Sequence, residues 1–146
     1  MKKNILVSAC LLGECCRYDG KSKPCERVIA LGATYNLIPV CPEVMGGLPT
    51  PRIPSEICGE KVLMKDGRDV TENYNCGALK ALEIARENAC TVAILKEKSP
   101  SCGSGLIHNG LFDGGLIEGD GITAQLLKAN GIRVLGESAI TEDFHL

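Results

Sequence analysis

Four short runs of apolar, mostly aliphatic residues punctuate the chain: Asn4 to Ser8, Leu37 to Cys41, Thr91 to Lys96 and Arg133 to Leu135. Each is strand-sized and continuous in hydrophobicity rather than alternating, the pattern of strands covered on both faces of a parallel sheet. Helical patterns lie between them. Ser22 is placed to cap a helix with Pro24 in its first turn, running on through Val28, Ile29 and Leu31. Thr71 is placed to cap a second, in which Ala78, Leu82, Ala85 and Ala89 share one face while Lys80, Glu83 and Glu87 point elsewhere. A third runs from Ile122 to Ala129 and ends at Asn130-Gly131. Three prolines between Pro49 and Pro54 demand an irregular loop. Lys61 to Lys65, Asp66-Gly67 and Arg68 to Val70 then read as a small hairpin. Strands alternating with helices predict an α/β fold: a single domain over residues 1–146, with a largely parallel open sheet flanked by helices and a hairpin insertion.

Composition narrows the partners. With 146 residues the chain is long enough for a proper apolar core, and since only 3% of it is aromatic that core must be aliphatic. Sixteen basic residues against 18 acidic ones, with no long run of either sign, leave no footprint for a nucleic-acid polymer or a membrane surface. A small-molecule substrate and a monomer are expected. The stretch from Met1 to Cys10 imitates a lipoprotein cleavage site, but only Ile5, Leu6 and Val7 are strongly apolar before Cys10. A signal peptide needs about 7–15 such residues, so the segment reads as a strand and the expected compartment is the cytoplasm. No stretch approaches the roughly 20 apolar residues of a membrane span.

Nine cysteines are the anomaly: an odd number, in a chain expected in a reducing compartment, where a disulfide framework is a poor reading. Three of them follow predicted strands. Cys10 comes two residues after the first, Cys41 closes the second, and Cys102 lies in the loop after the third. The carboxyl ends of neighbouring strands are where open α/β sheets bind ligands. Three thiolates from three loops suit an iron–sulfur cluster with one open iron, or a zinc ion with one exchangeable position. Inert buried thiols are the plain alternative. Zinc ribbons and fingers are disfavoured by the absence of any Cys-x-x-Cys pair and by a total of two histidines, His108 and His145. Cys25, Cys58, Cys76 and Cys90 read as small hydrophobes.

At this point the motifs resemble a known family. Ser8-Ala9-Cys10-Leu11-Leu12-Gly13, Cys16-Arg17-Tyr18-Asp19-Gly20, Cys41-Pro42-Glu43 with Gly46-Gly47 and Pro49, Pro51-Arg52, Ser99-Pro100-Ser101-Cys102-Gly103 and Gly119-Asp120-Gly121-Ile122-Thr123-Ala124 occur in order along nearly the whole chain. Together they resemble the short thiouracil desulfurase family, formerly a domain of unknown function. The resemblance implies an oxygen-sensitive [4Fe–4S] cluster on Cys10, Cys41 and Cys102 and non-redox removal of sulfur from a thiolated pyrimidine or similar thioamide. Cys15 is an addition beside the family's Cys16, and His108 stands where relatives often carry Tyr. Both bear on substrate choice more than on the cluster.

Within that frame Glu43 is the expected catalytic carboxylate, activating water or protonating a ring nitrogen. Ser101 is expected to hydrogen-bond the substrate or pass on a proton, and Tyr18 and Asp19 to line the substrate pocket. Each has a plainer reading: Glu43 as a helix-capping or solvated carboxylate, Ser101 as a turn residue, Asp19-Gly20 as a turn; Arg52 either grips an anionic substrate or, more plainly, forms a surface ion pair. The alternative for the whole chain is a non-catalytic cluster- or zinc-binding module in sulfur trafficking or sensing.

Overall fold

The computed structural model describes residues 2–144. Along it run β1 (Asn4–Ser8), α1 (Glu26–Ala30), β2 (Asn36–Val40), α2 (Pro42–Met45), β3 (Ser55–Cys58), β4 (Lys61–Met64), α3 (Thr71–Glu87), β5 (Val92–Leu95), β6 (Leu106–His108), β7 (Leu116–Glu118), α4 (Ile122–Ala129) and β8 (Arg133–Gly136). The four strands expected from apolar runs form one parallel sheet in the order β2-β1-β5-β8. Alternate side chains feed two cores. Ile5, Val7, Val92 and Ile94 pack with Val28 of α1, Leu11, Tyr35 and Ile140. Leu6, Val40, Ala93, Leu95 and Val134 pack with Leu82 and Ala85 of α3 and Ala124 and Leu127 of α4. Covering both faces is why these strands show no polar alternation. Pro39, which has no N–H to give a ladder, sits in β2 at the sheet edge.

Several local expectations are corrected. The helix expected from Ser22 starts at Glu26, because residues 23–25 are drawn out along the first cysteine loop. Lys23 and Cys25 donate their N–H groups to the carbonyls of Cys10 and Leu11, at 3.0 and 2.9 Å. Thr71 is the first helical residue of α3 rather than its cap, and Asp69 Oδ1 accepts its N–H at 2.9 Å. Ala89 is not on the buried face of α3. It takes a left-handed conformation (φ 52°) that ends the helix, with Cys90 N–H donating to the Ala85 carbonyl at 2.8 Å. The turn at Asp66-Gly67 exists, but the main partner of β4 is β3, which precedes it, and Asp69 meets Leu63 through one isolated bridge. The β6–β7 hairpin has no counterpart in the expected elements. A smaller core of Leu48, Val62, Met64, Val70 and Tyr74 lies beneath β3 and β4.

One glycine pair sets the relation of α2 to α3. A Cβ on Gly77 would overlap the Pro42 carbonyl, 2.7 Å from its carbon. A Cβ on Gly46 would stand 2.9 Å from the carbonyl carbon of Asn73. Backbone therefore lies against backbone here, and this close approach explains a glycine in the middle of a long helix.

Candidate metal and substrate site

The chain leaves β1 for β2 on one side and returns to β5 on the other, so the sheet's switch in direction falls beside β1. A crevice opens there at the strand carboxyl ends. Cys10 lies in a 3-10 turn over Ala9–Leu12, closed by Gly13 at φ 100°. Cys41 follows β2 directly and occupies the N-cap position of α2, with Pro42 opening the helix. Cys102 sits in a tight turn after β5, where Ser99 Oγ accepts the N–H groups of Ser101 and Cys102, both at 3.1 Å. There is no room for a side chain at Gly121, whose Cβ would stand 2.8 Å from the Cys102 nitrogen.

All three expected thiols line one cavity of about 400 Å³. Cys10 reaches it from the core on the α1 side and Cys102 from the core on the α3/α4 side, and both are buried. Cys16 joins them on the wall. The neighbouring Cys10 thiol, partly offset by that of Cys41, and then burial and nearby charge push the Cys16 thiol up to about 11. The Cys16 thiol, then burial, drives Cys41 far above the ordinary thiol range. Burial pushes Cys102 up to about 12, against hydrogen bonds from Ser8 and Ser101 that favour its thiolate. Crowded thiolates in a buried cavity are costly without a cationic body between them. The donor set fits an iron–sulfur cluster: thiols only, arranged around a volume. A zinc ion with Zn–S bonds of about 2.3 Å would draw its thiols to a common point.

Glu43 lies in the first turn of α2, lines the same cavity, and is held from two directions. Its Oε1 accepts the Tyr74 hydroxyl at 2.8 Å and Arg52 Nε at 3.2 Å. Burial first, and then the Glu43 carboxylate, pushes the Tyr74 phenol far above its usual range, so it remains a donor. Oε2 has no protein partner among the described residues. Arg52 is an ion-pair partner, but not on the surface: its side chain is 3% exposed. It also donates to the carbonyls of Cys16 and Pro49, both at 3.1 Å, and so ties the Cys16 loop to Glu43.

The other expected site residues divide. Tyr18 is on the cavity wall, partly exposed. Asp19 is not. Its Oδ1 accepts the Lys21 N–H at 3.0 Å and its carboxylate lies 3.8 Å from Arg17, so it shapes the turn beside Tyr18. Ser101 is fully buried and also off the wall. Its hydroxyl pairs with that of Thr123 at 2.9 Å, and its carbonyl accepts the Thr123 N–H at 2.8 Å, which fastens the Cys102 turn to the start of α4. The Ser101 hydroxyl therefore stands between Thr123 and the Cys102 thiol, whose thiolate it favours.

His108, which the sequence tied to substrate choice, is on the cavity wall, and sequence reasoning missed Ser8, Tyr74 and Phe112, which also line it. Ser8 Oγ accepts the Lys96 N–H at 2.9 Å and favours the thiolate of Cys102. Its signal was present in the Ser8-Ala9-Cys10 motif. Tyr74 was detectable as a phenol on a buried helix face, which needs a polar partner. Cys15, Cys25, Cys58, Cys76 and Cys90 are off the wall, and all nine cysteines are free thiols. His145 lies outside the described residues. No described helix is long and apolar enough to cross a membrane.

Three similarities accompany this geometry. The sequence model of the family described as 2-thiouracil desulfurase matches residues 5–139. A protein of Bacillus subtilis (strain 168), uncharacterized protein YbbK, is 45% identical over 148 residues, covering 94% of this chain and 98% of its own length. A solved structure of the [4Fe–4S]-dependent thiouracil desulfidase TudS superposes with a TM-score of 0.90 at 48% identity, over 95% of this chain and 93% of the other.

Proposed function

The chain belongs to the 2-thiouracil desulfurase family, and from that premise we propose that it removes sulfur hydrolytically from a thiolated pyrimidine or similar small thioamide. In this reading it carries a [4Fe–4S] cluster on Cys10, Cys41 and Cys102. The observation that carries the reading is the meeting of three thiols from three strand ends with an anchored carboxylate, Glu43, around one cavity. When bound, the cluster supplies an iron without a protein ligand, a Lewis acid suited to a thiocarbonyl sulfur. The chain's residues do the rest.

Cys16 stays beside the cluster without ligating it. Tyr74 and Arg52 hold Glu43 by Oε1 and leave Oε2 to take a proton from water. The water oxygen adds to the thiocarbonyl carbon, the carbon–sulfur bond breaks, and sulfur leaves as sulfide while Glu43 returns its proton. Thiocarbonyl and water become carbonyl and hydrogen sulfide, so no external electron is consumed. Tyr18 borders the entrance as a substrate contact, Asp19 supports it, and Ser101 positions Cys102. Free thiols throughout suit a reducing cytoplasm, where residues 1–146 would work as one domain and a monomer on a small molecule.

The test is anaerobic reconstitution followed by sulfide release from 2-thiouracil. The wild-type protein should become brown and release sulfide. Glu43→Gln should keep the chromophore and lose turnover by at least about a hundredfold, within the range for a general base. A colourless protein, or one that releases no sulfide from a panel of thioamides, overturns the reading. Unchanged turnover in Glu43→Gln removes that residue from the scheme.

A further inference from the structure

The loop joining β6 to β7 closes one wall of the cavity with His108 and Phe112. His108 Nδ1 is buried and has no hydrogen-bond partner among the described residues. A buried polar atom left unpaired costs about 1–3 kcal/mol, and since the His108 side chain already borders the cavity, a turn of its ring toward a ligand there would give that nitrogen a partner. The loop that carries Phe112 is built to stay in place. Glu56, a buried carboxylate, accepts the N–H groups of Gly110 and Phe112 on one oxygen, at 2.9 and 3.2 Å. The Cys58 thiol donates to the Gly110 carbonyl at 3.4 Å, and Gly110 lies so close to β3 that a Cβ would stand 2.7 Å from the Ile57 carbonyl oxygen. Phe112 itself holds a left-handed backbone, φ 53°, which a bulky side chain rarely adopts without such support.

We propose that His108 and Phe112 are the specificity-determining wall of the site. Phe112 lies against the face of a planar thiolated pyrimidine, and His108 hydrogen-bonds the ring's exocyclic oxygen, away from the thiocarbonyl. Glu56 is the positioning residue that holds the loop. The inference rests on the desulfurase reading, yet it concerns ring recognition and not sulfur removal. A ring with an oxo group at position 4 therefore binds better than one without it, because a site built around a polar partner penalises the analogue that lacks it.

Binding of non-reactive ring analogues to the anaerobically reconstituted protein tests this without turnover. Calorimetric titration with uracil and with 2-hydroxypyrimidine, which lacks the 4-oxo group, should give a wild-type preference for uracil of about tenfold or more. His108→Phe should bring the ratio to about one, and His108→Gln should keep part of it. Phe112→Ala should weaken both ligands alike and preserve the ratio. The proposal is overturned if wild-type protein does not bind uracil or binds the two rings equally, if His108→Phe keeps the wild-type ratio, or if Phe112→Ala binds as tightly as wild type. A wild-type preference for uracil that His108→Phe abolishes, found together with no sulfide release from 2-thiouracil, would support this recognition wall while refuting the desulfurase reading.

Discussion

Gly77→Ala, far from any reacting atom, should disable the enzyme. The added methyl would stand 2.7 Å from the Pro42 carbonyl carbon, where carbon atoms normally rest at about 3.5–4.0 Å. The Pro42 carbonyl oxygen would be overlapped more deeply still, so α2 and α3 must part by more than about 1 Å. Overpacking of this kind costs about 1–3 kcal/mol, while replacing a mid-helix glycine by alanine returns about 1 kcal/mol, so folding should survive with a small net loss. The site should not. Glu43 is beside Pro42 on α2, and Tyr74 is one turn before Gly77 on α3, so separation of the helices acts directly on their 2.8 Å hydrogen bond. A stretch of about 1 Å takes an O–H···O contact out of its useful range, and misplacement on that scale can cost about a hundredfold in rate. Sulfide release per iron cluster, measured with a thermal melt on the same sample, reads both effects. Turnover should fall by about thirty- to a hundredfold with a modest change in melting temperature. Wild-type turnover would refute the argument that the α2–α3 contact aims Glu43.

Ala89→Gly should stabilise the protein by about 1 kcal/mol, because alanine pays for the left-handed conformation that glycine adopts freely; a rise in melting temperature of roughly 2–4 °C would be read by calorimetry, and no rise would contradict it. Cys16→Ala should retain the iron content of the wild-type protein after anaerobic reconstitution, since Cys16 borders the cavity without being counted among the ligands; loss of iron would make it one.

Much of the architecture was legible in the chain because its signals are local. Val92 to Leu95 is buried along its whole length, and the apolar run announced it. Asn130-Gly131 ended α4 as expected, with Gly131 at φ 79°. Cysteines near strand ends were visible once the strands were. What escaped depends on distant partners. The start of α1 was displaced by carbonyls of Cys10 and Leu11, more than ten residues upstream. Glu43 owes its orientation to Arg52 and to Tyr74, the latter 31 positions away. Ser101 reads in sequence as a loop residue, but it is fully buried and hydrogen-bonded to Thr123, 22 residues on. The β6–β7 hairpin has strands of only three residues and leaves all of β7 exposed, so no apolar periodicity marks it.

The identity of the cluster ligands is tested most directly by iron and sulfide analysis of Cys10→Ala, Cys41→Ala and Cys102→Ala, each reconstituted anaerobically beside the wild type. The wild-type chain should hold four irons and four inorganic sulfides, and each variant should lose the intact cluster and its brown absorption. A variant among the three that still carries a full, catalytically active cluster would contradict the assignment of these cysteines as the cluster's three ligands.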